Sequence, residues 1–142
     1  MMLILKRLIP PLLKRPLHPV MKLRATSEPL VVRPWGNFKT LWHDAGYLVK
    51  RIRVHAGERL SLQRHKHRSE HWVVVQGEGT FFCDGRTTEA IPGVTLLVPC
   101  ESLHRATAGK EDLVFIEVQR GLILSEEDIE RLEDDYDRET VF

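Results

Sequence analysis

The chain has 142 residues, enough for a single domain with a real core, and its 42% apolar content is that of a soluble globule. A formal net charge of +1 gives no overall bias toward nucleic acid or membrane. No apolar run approaches the ~20 residues that a membrane-spanning helix needs. The two cysteines, Cys83 and Cys100, are too few for a disulfide framework and read as reduced thiols of a cytoplasmic protein.

The charge is uneven along the chain. Residues 1–27 contain no Asp or Glu, and Pro10, Pro11, Pro16 and Pro19 break any helix there. A secretory signal would need a longer apolar core and a small-residue cleavage site. This basic, Pro-rich stretch is read as a dispensable extension, disordered or upstream of Met21 as the natural start. Residues 28–142 are read as one domain. From Leu48 to Glu117, short β-like runs alternate with Gly, Pro, Asp and Asn signals. Strands are expected at Tyr47 to Val54, Leu60 to His65, His71 to Gln76, Thr80 to Cys83, Thr87 to Ile91, Thr95 to Val98, His104 to Ala108 and Leu113 to Val118. Asp84-Gly85 is a strong hairpin signal. Ser125, with Asp128 three residues on, is expected to cap a short C-terminal helix carrying Ile129 and Leu132. The pattern predicts an all-β fold, a jelly-roll barrel of short antiparallel strands closed by that helix.

Alternate residues of a strand face one side. Ile52 and Val54 should point inward with Lys50 in the same phase, and a lysine there implies a polar cavity. Gln63, His65 and His67 share one face, and Glu70, Trp72 and Val74 share another. A turn or bulge at Arg68-Ser69 would reset the phase and let Gln63, His65 and Glu70 converge; His71 would then point away. Imidazole nitrogen and carboxylate oxygen are ligands for divalent transition metals. Gln63, His65, Glu70 and, from a distant strand, His104 could close such a site. The alternative is that His65 and His67 are solvated and Glu70 pairs with Arg68.

The spacing Gly57, Gln63, His65, Glu70, Gly77, followed by Gly93, Pro99, Glu101, His104 and Ala108, resembles the two motifs of the cupin superfamily. Gln63 stands for the first His, Glu101 for a Gly and Ala108 for an Asn. A finer resemblance is to the type II mannose-6-phosphate isomerases, usually the C-terminal part of a bifunctional mannose-1-phosphate guanylyltransferase. It is carried by Arg33-Pro34-Trp35-Gly36, by Gln63 to Trp72, by Glu117-Val118-Gln119, and by Glu126, Asp128-Ile129, Arg131, Tyr136 and Arg138.

That resemblance implies a cupin barrel with a divalent metal ion (Zn, Mn, Co or Ni) and interconversion of mannose 6-phosphate and fructose 6-phosphate for polysaccharide biosynthesis. Such an isomerase needs a base, a stabiliser of negative charge and a phosphate clamp. His67, Glu70, His71 and Lys50 are the candidates for acid–base chemistry. Arg68, Arg64, Arg105, Arg33 and Arg138 are the candidates for the phosphate. The small-molecule partner would be a sugar phosphate, and pairing of exposed sheet edges would make a homodimer. A non-catalytic sugar-phosphate-binding cupin, or a metal-dependent cupin of other chemistry, remains open on these residues.

Overall fold

Alternation of buried and exposed residues builds two facing antiparallel sheets in the computed structural model, which describes residues 28–138. The strands are β1 (Val31–Arg33), β2 (Gly36–Asp44), β3 (Tyr47–Val54), β4 (Leu62–Arg64), β5 (Arg68–Gln76), β6 (Gly79–Cys83), β7 (Arg86–Ala90), β8 (Thr95–Val98), β9 (His104–Ala108), β10 (Leu113–Gly121) and β11 (Glu130–Glu133). One sheet has the order β1-β2-β3-β10-β5-β8 and the other β11-β4-β9-β6-β7. The expected N-terminal extension, residues 1–27, lies outside the described residues.

The barrel interior is divided along its strands. On β10 the inward residues begin apolar and turn polar, and on the antiparallel β5 they run from polar to apolar. Phe115 pairs with Ile52 and Val74, the next inward residue Glu117 pairs with Lys50 and Trp72, and Gln119 pairs with Leu48 and Glu70. One end is therefore a dry core built around Trp72, Phe81, Phe115, Leu113, Val54 and Val98. The Trp72 ring centroid lies 5.0 Å from that of Phe81, edge to face, and 4.8 Å from that of Phe115, tilted, separations at which aromatic rings attract beyond their area burial. The other end buries Lys50, His65, Arg68, Glu70, His104, Glu117 and Gln119, which must satisfy one another.

Three local expectations need correction. First, no α-helix occurs among the described residues, so the expected short C-terminal helix is absent. Ser125 Oγ accepts from the Glu127 N–H and its carbonyl from the Asp128 N–H, making a turn. The Asp128 carboxylate then accepts the Lys66 and His67 N–H groups instead of capping a helix. Beyond it, Glu130–Glu133 forms β11 against β4. Second, the phase reset falls at Lys66–His67 rather than Arg68–Ser69. Arg68 therefore shares the inward phase of Glu70. Third, β1 and β2 lie upstream of the strands that the sequence marks, because Gly36 and Thr40 carry much of the buried phase of β2 and give no apolar period. Gly77 holds the β5–β6 turn at φ 83, and a Cβ there would meet the Asp112 carbonyl oxygen at 1.8 Å.

Candidate functional site

Inward-facing β5 and β9, with the turn after β4, bring His65, Glu70 and His104 together at the polar end. Their ligand atoms all lie within 4.8 Å of one another, and all three residues are buried. His65 Nδ1 lies 2.6 Å from the Asp128 carbonyl oxygen and His104 Nδ1 lies 2.8 Å from that of Ser102. A carbonyl only accepts, so each Nδ1 carries the proton and each Nε2 presents a lone pair to Glu70. The separations are 3.2 Å from His65 Nε2 to Glu70 Oε1 and 3.6 Å from His104 Nε2 to Glu70 Oε2. Burial, then the charge of Arg68, lowers His65 to about 3. Burial lowers His104 to about 4 despite its bond to the Ser102 carbonyl. Both rings are neutral near pH 7, so acceptors face acceptors.

Such a cluster needs a cation. Arg68 supplies part of one, donating Nε to Glu70 Oε1 at 2.9 Å and Nη2 to His65 Nε2 at 3.2 Å. His104 Nε2 is buried without a hydrogen-bond partner. Two neutral imidazoles with fixed tautomers, a carboxylate and one orphaned lone pair fit a divalent ion. His65, Glu70 and His104 would be its protein ligands. Gln63 stands next to them, in register with His104 across β4 and β9, with its carboxamide oxygen accepting from Ser61 Oγ at 2.7 Å.

Beneath the cluster, Trp72 Nε1 lies 3.0 Å from Glu70 Oε2 and 3.0 Å from Glu117 Oε2. Gln119 Nε2 donates to Glu117 Oε1 at 2.6 Å. Burial, then the neighbouring charge of Glu70, pushes the Glu117 carboxyl up to about 7. Over the cluster lies the connection between β10 and β11. Arg68 Nη1 donates to the carbonyls of Ser125 at 3.0 Å and Asp128 at 3.3 Å. Glu126 Oε1 bonds Lys50 Nζ, which also lies 4.3 Å from the Phe38 ring centroid. A cavity of about 100 Å³ adjoins it, lined by Lys50, Gln63, Glu70, Glu117, Glu126 and Arg131, among others.

The structure thus gathers Lys50, Gln63, His65, Arg68, Glu70 and His104 in one place, with Arg33 and Arg138 lining the same cavity. It does not bring His67 and His71 to it. His67 sits in an outer cleft of about 350 Å³ with Arg64, Lys66 and Asp128, since the Lys66–His67 bend turns it out. His71 is exposed on the outward phase of β5. Arg64 faces outward and binds Glu130 at 2.5 Å. Arg105, one residue out of phase with His104, holds the Leu60 carbonyl at 3.0 Å and Glu133 at 3.1 Å. Residue types alone did not single out Glu117, Gln119 or the bridging Trp72 indole as parts of the site. Their signal is strand phase, since Glu117 shares the inward face with Lys50.

Solved structures share the fold. KdgF from Halomonas superposes with a TM-score of 0.59 at 21% identity, covering 63% of this chain and 83% of that one. The cupin-2 domain of Rru_A2000 from Rhodospirillum rubrum gives 0.56 at 20% identity over 65% and 67%. CapF from Staphylococcus aureus gives 0.61 at 21% over 75% and 34%. These likenesses make the fold a cupin. In sequence, residues 22–134 match the family described as mannose-6-phosphate isomerase C-terminal. The chain belongs to that family. Two relatives bear on the match. The alginate biosynthesis protein AlgA of Pseudomonas aeruginosa is 47% identical over 109 residues, 76% of this chain and 23% of the relative. The mannose-1-phosphate guanylyltransferase ManC of Salmonella typhimurium is 42% identical over 111 residues, 76% of this chain and 23% of the relative. The chain spans about a quarter of the length of these relatives. No helix among the described residues is long and apolar enough to cross a membrane.

Proposed function

We propose that this domain interconverts mannose 6-phosphate and fructose 6-phosphate, as a metal-dependent sugar-phosphate isomerase serving polysaccharide synthesis. The observation that carries the reading is the convergence of His65, Glu70 and His104 in one buried cluster whose Glu70 lines a polar cavity, in a chain of the mannose-6-phosphate isomerase C-terminal family. A divalent ion held by those three residues would polarise the sugar oxygens and stabilise negative charge on them.

The remaining work falls to side chains that face the cavity. Burial raises the Glu126 carboxyl, but the charges of Lys50, Arg68 and Arg33 outweigh burial and keep it below its ordinary range. Glu126 is therefore an ionised acceptor, able to take a proton from the carbon next to the carbonyl and return it to the neighbouring one. Lys50 Nζ stands beside it as a donor to the oxygen on which charge develops. Trp72, Glu117 and Gln119 hold Glu70 in one orientation from below. The connection carrying Glu126 and Ile129 borders the cavity from above.

A coupled assay on mannose 6-phosphate with metal-loaded protein tests the reading. Turnover should be present in the natural chain and fall at least ~100-fold in Glu126→Gln and Lys50→Met. Tight binding of the sugar phosphate with no turnover would replace the isomerase by a binding protein.

A further inference from the structure

The donor set around Glu70 carries its own rival for a metal ion. The planar guanidinium of Arg68 turns one edge to the cluster. Its Nε donates to Glu70 Oε1 at 2.9 Å and its Nη2 to His65 Nε2 at 3.2 Å. Arginine has donors only, so the direction of both bonds is fixed. A neutral imidazole has a single lone pair in its ring plane, here on Nε2. That lone pair accepts from Arg68 or binds a cation; it cannot do both at once. His104 Nε2 is not contested in this way, being buried with no hydrogen-bond partner.

The usual partner of a metal-binding imidazole bonds the far nitrogen and strengthens the ligand. The Asp128 and Ser102 carbonyls are partners of that kind, at Nδ1 of His65 and of His104. Arg68 instead bonds the near nitrogen of His65, the one a metal would use. It is held there from behind, because Nη1 donates to the carbonyls of Ser125 at 3.0 Å and Asp128 at 3.3 Å. Arg68 is buried, and its ion pair is with Glu70, itself buried. Glu70 does not depend on Arg68 for its position, since Trp72 Nε1 holds its other oxygen at 3.0 Å.

We propose that Arg68 is a built-in competitor of the metal ion. Its guanidinium and a divalent cation take His65 Nε2 in turn, so the metal affinity of the cluster is set below what His65, Glu70 and His104 alone would give. The assignment rests on the metal cluster of the reading above, and not on isomerisation.

Zinc titration of the chelator-treated full chain tests it, followed by calorimetry and by side-chain proton–nitrogen NMR. In the natural chain the Arg68 Nε–H should exchange slowly before zinc is added, then shift and exchange faster at full occupancy. Arg68→Met should bind zinc at least about tenfold more tightly, the equivalent of one hydrogen bond to a charged group no longer lost on metal entry. Arg68→Lys keeps the charge without the planar fork and should gain part of that factor, which separates competition for the lone pair from charge repulsion. Arg64→Gln should match the natural chain. If Arg68→Met fails to fold, as judged by its melting curve, the NMR titration of the natural chain decides alone. An Arg68 Nε–H unmoved at full zinc occupancy overturns the proposal and leaves the metal cluster standing. Equal or weaker zinc binding by folded Arg68→Met does the same, making Arg68 a support of the ligands. Arg68→Lys indistinguishable from the natural chain also overturns it, reducing the effect to repulsion. No zinc binding by any folded chain sinks the proposal together with the metal. Competition without turnover of mannose 6-phosphate sinks only the isomerase reading.

Discussion

Replacing Trp72 by Phe probes the polar floor of the barrel with little change to its aromatic packing. The indole N–H is shared by two buried carboxylates, Glu70 and Glu117, each at 3.0 Å. A hydrogen bond to a charged group contributes about 1.5–3 kcal/mol, and its loss leaves buried acceptors unpaired. The smaller ring adds a cavity cost of about 1 kcal/mol. Trp72→Phe should therefore destabilise the metal-free protein by about 2.5–4 kcal/mol at pH 8, where Glu117 is ionised. For a chain of this size that lowers Tm by roughly 10–15 °C. The mechanism can be separated from the cavity by a double-mutant cycle with Glu117→Gln. Once Glu117 is neutral, the lost N–H no longer leaves two carboxylates facing each other. The double variant should be more stable than additivity predicts by about 1–2 kcal/mol. Urea denaturation of the four proteins measures this. Strict additivity, or a Trp72→Phe cost under about 1 kcal/mol, would refute the claim that the indole holds the two carboxylates apart.

Further outcomes concern pH, metal and the loops. Glu117 titrates at about 7 in the fold, above its unfolded value, so its protonated form favours folding and that contribution fades as pH rises from about 4.5 through 7. Glu117→Gln should gain stability relative to the natural chain between pH 5 and pH 8, and an equal gap at both would contradict this. His65 and His104, lowered to about 3 and about 4, act in the opposite sense. Their contribution is present above pH 6.5 and lost as pH falls through those values, so His104→Asn should flatten the acid limb of the metal-free stability curve. The same variant should lose zinc or manganese affinity by more than the ~10–100-fold that removal of an outer-shell partner costs, as read by equilibrium dialysis. Asp128→Asn weakens the acceptors of two backbone N–H groups at 2.9 and 3.0 Å. It should cost about 1–2 kcal/mol and speed hydrogen exchange at residues 125–129, with unchanged exchange counting against the role given to that turn. Gly77→Ala, facing the Asp112 carbonyl at φ 83, should destabilise by at least about 1–3 kcal/mol in thermal melts, and an unchanged Tm would contradict the close approach.

Local chemistry was legible from the residues wherever strand phase or turn chemistry governs it. Strand alternation places Lys50, Ile52 and Val54 inward, and motif spacing marks His65, Glu70 and His104. Asp84-Gly85 closes the β6–β7 hairpin as its sequence demands. The short C-terminal helix failed because a capping signature is local, while the Asp128 carboxylate found two backbone donors across the barrel mouth. His67 shares a sequence parity with His65, yet a bend two residues long separates them into different surfaces.

The sequence by itself determined an all-β chain of cupin type and pointed to the three residues of a cluster that could hold a metal ion, because period and spacing are properties of the chain alone. Which cations face the cavity was decided only by the tertiary structure. Arg64 and Arg105 differ from Arg131 in the strand they occupy and the strand phase they inherit, not in residue type. The same holds for Glu117, whose raised titration comes from burial against Trp72 and Glu70, neighbours distant in the chain and adjacent only once the sheets have closed.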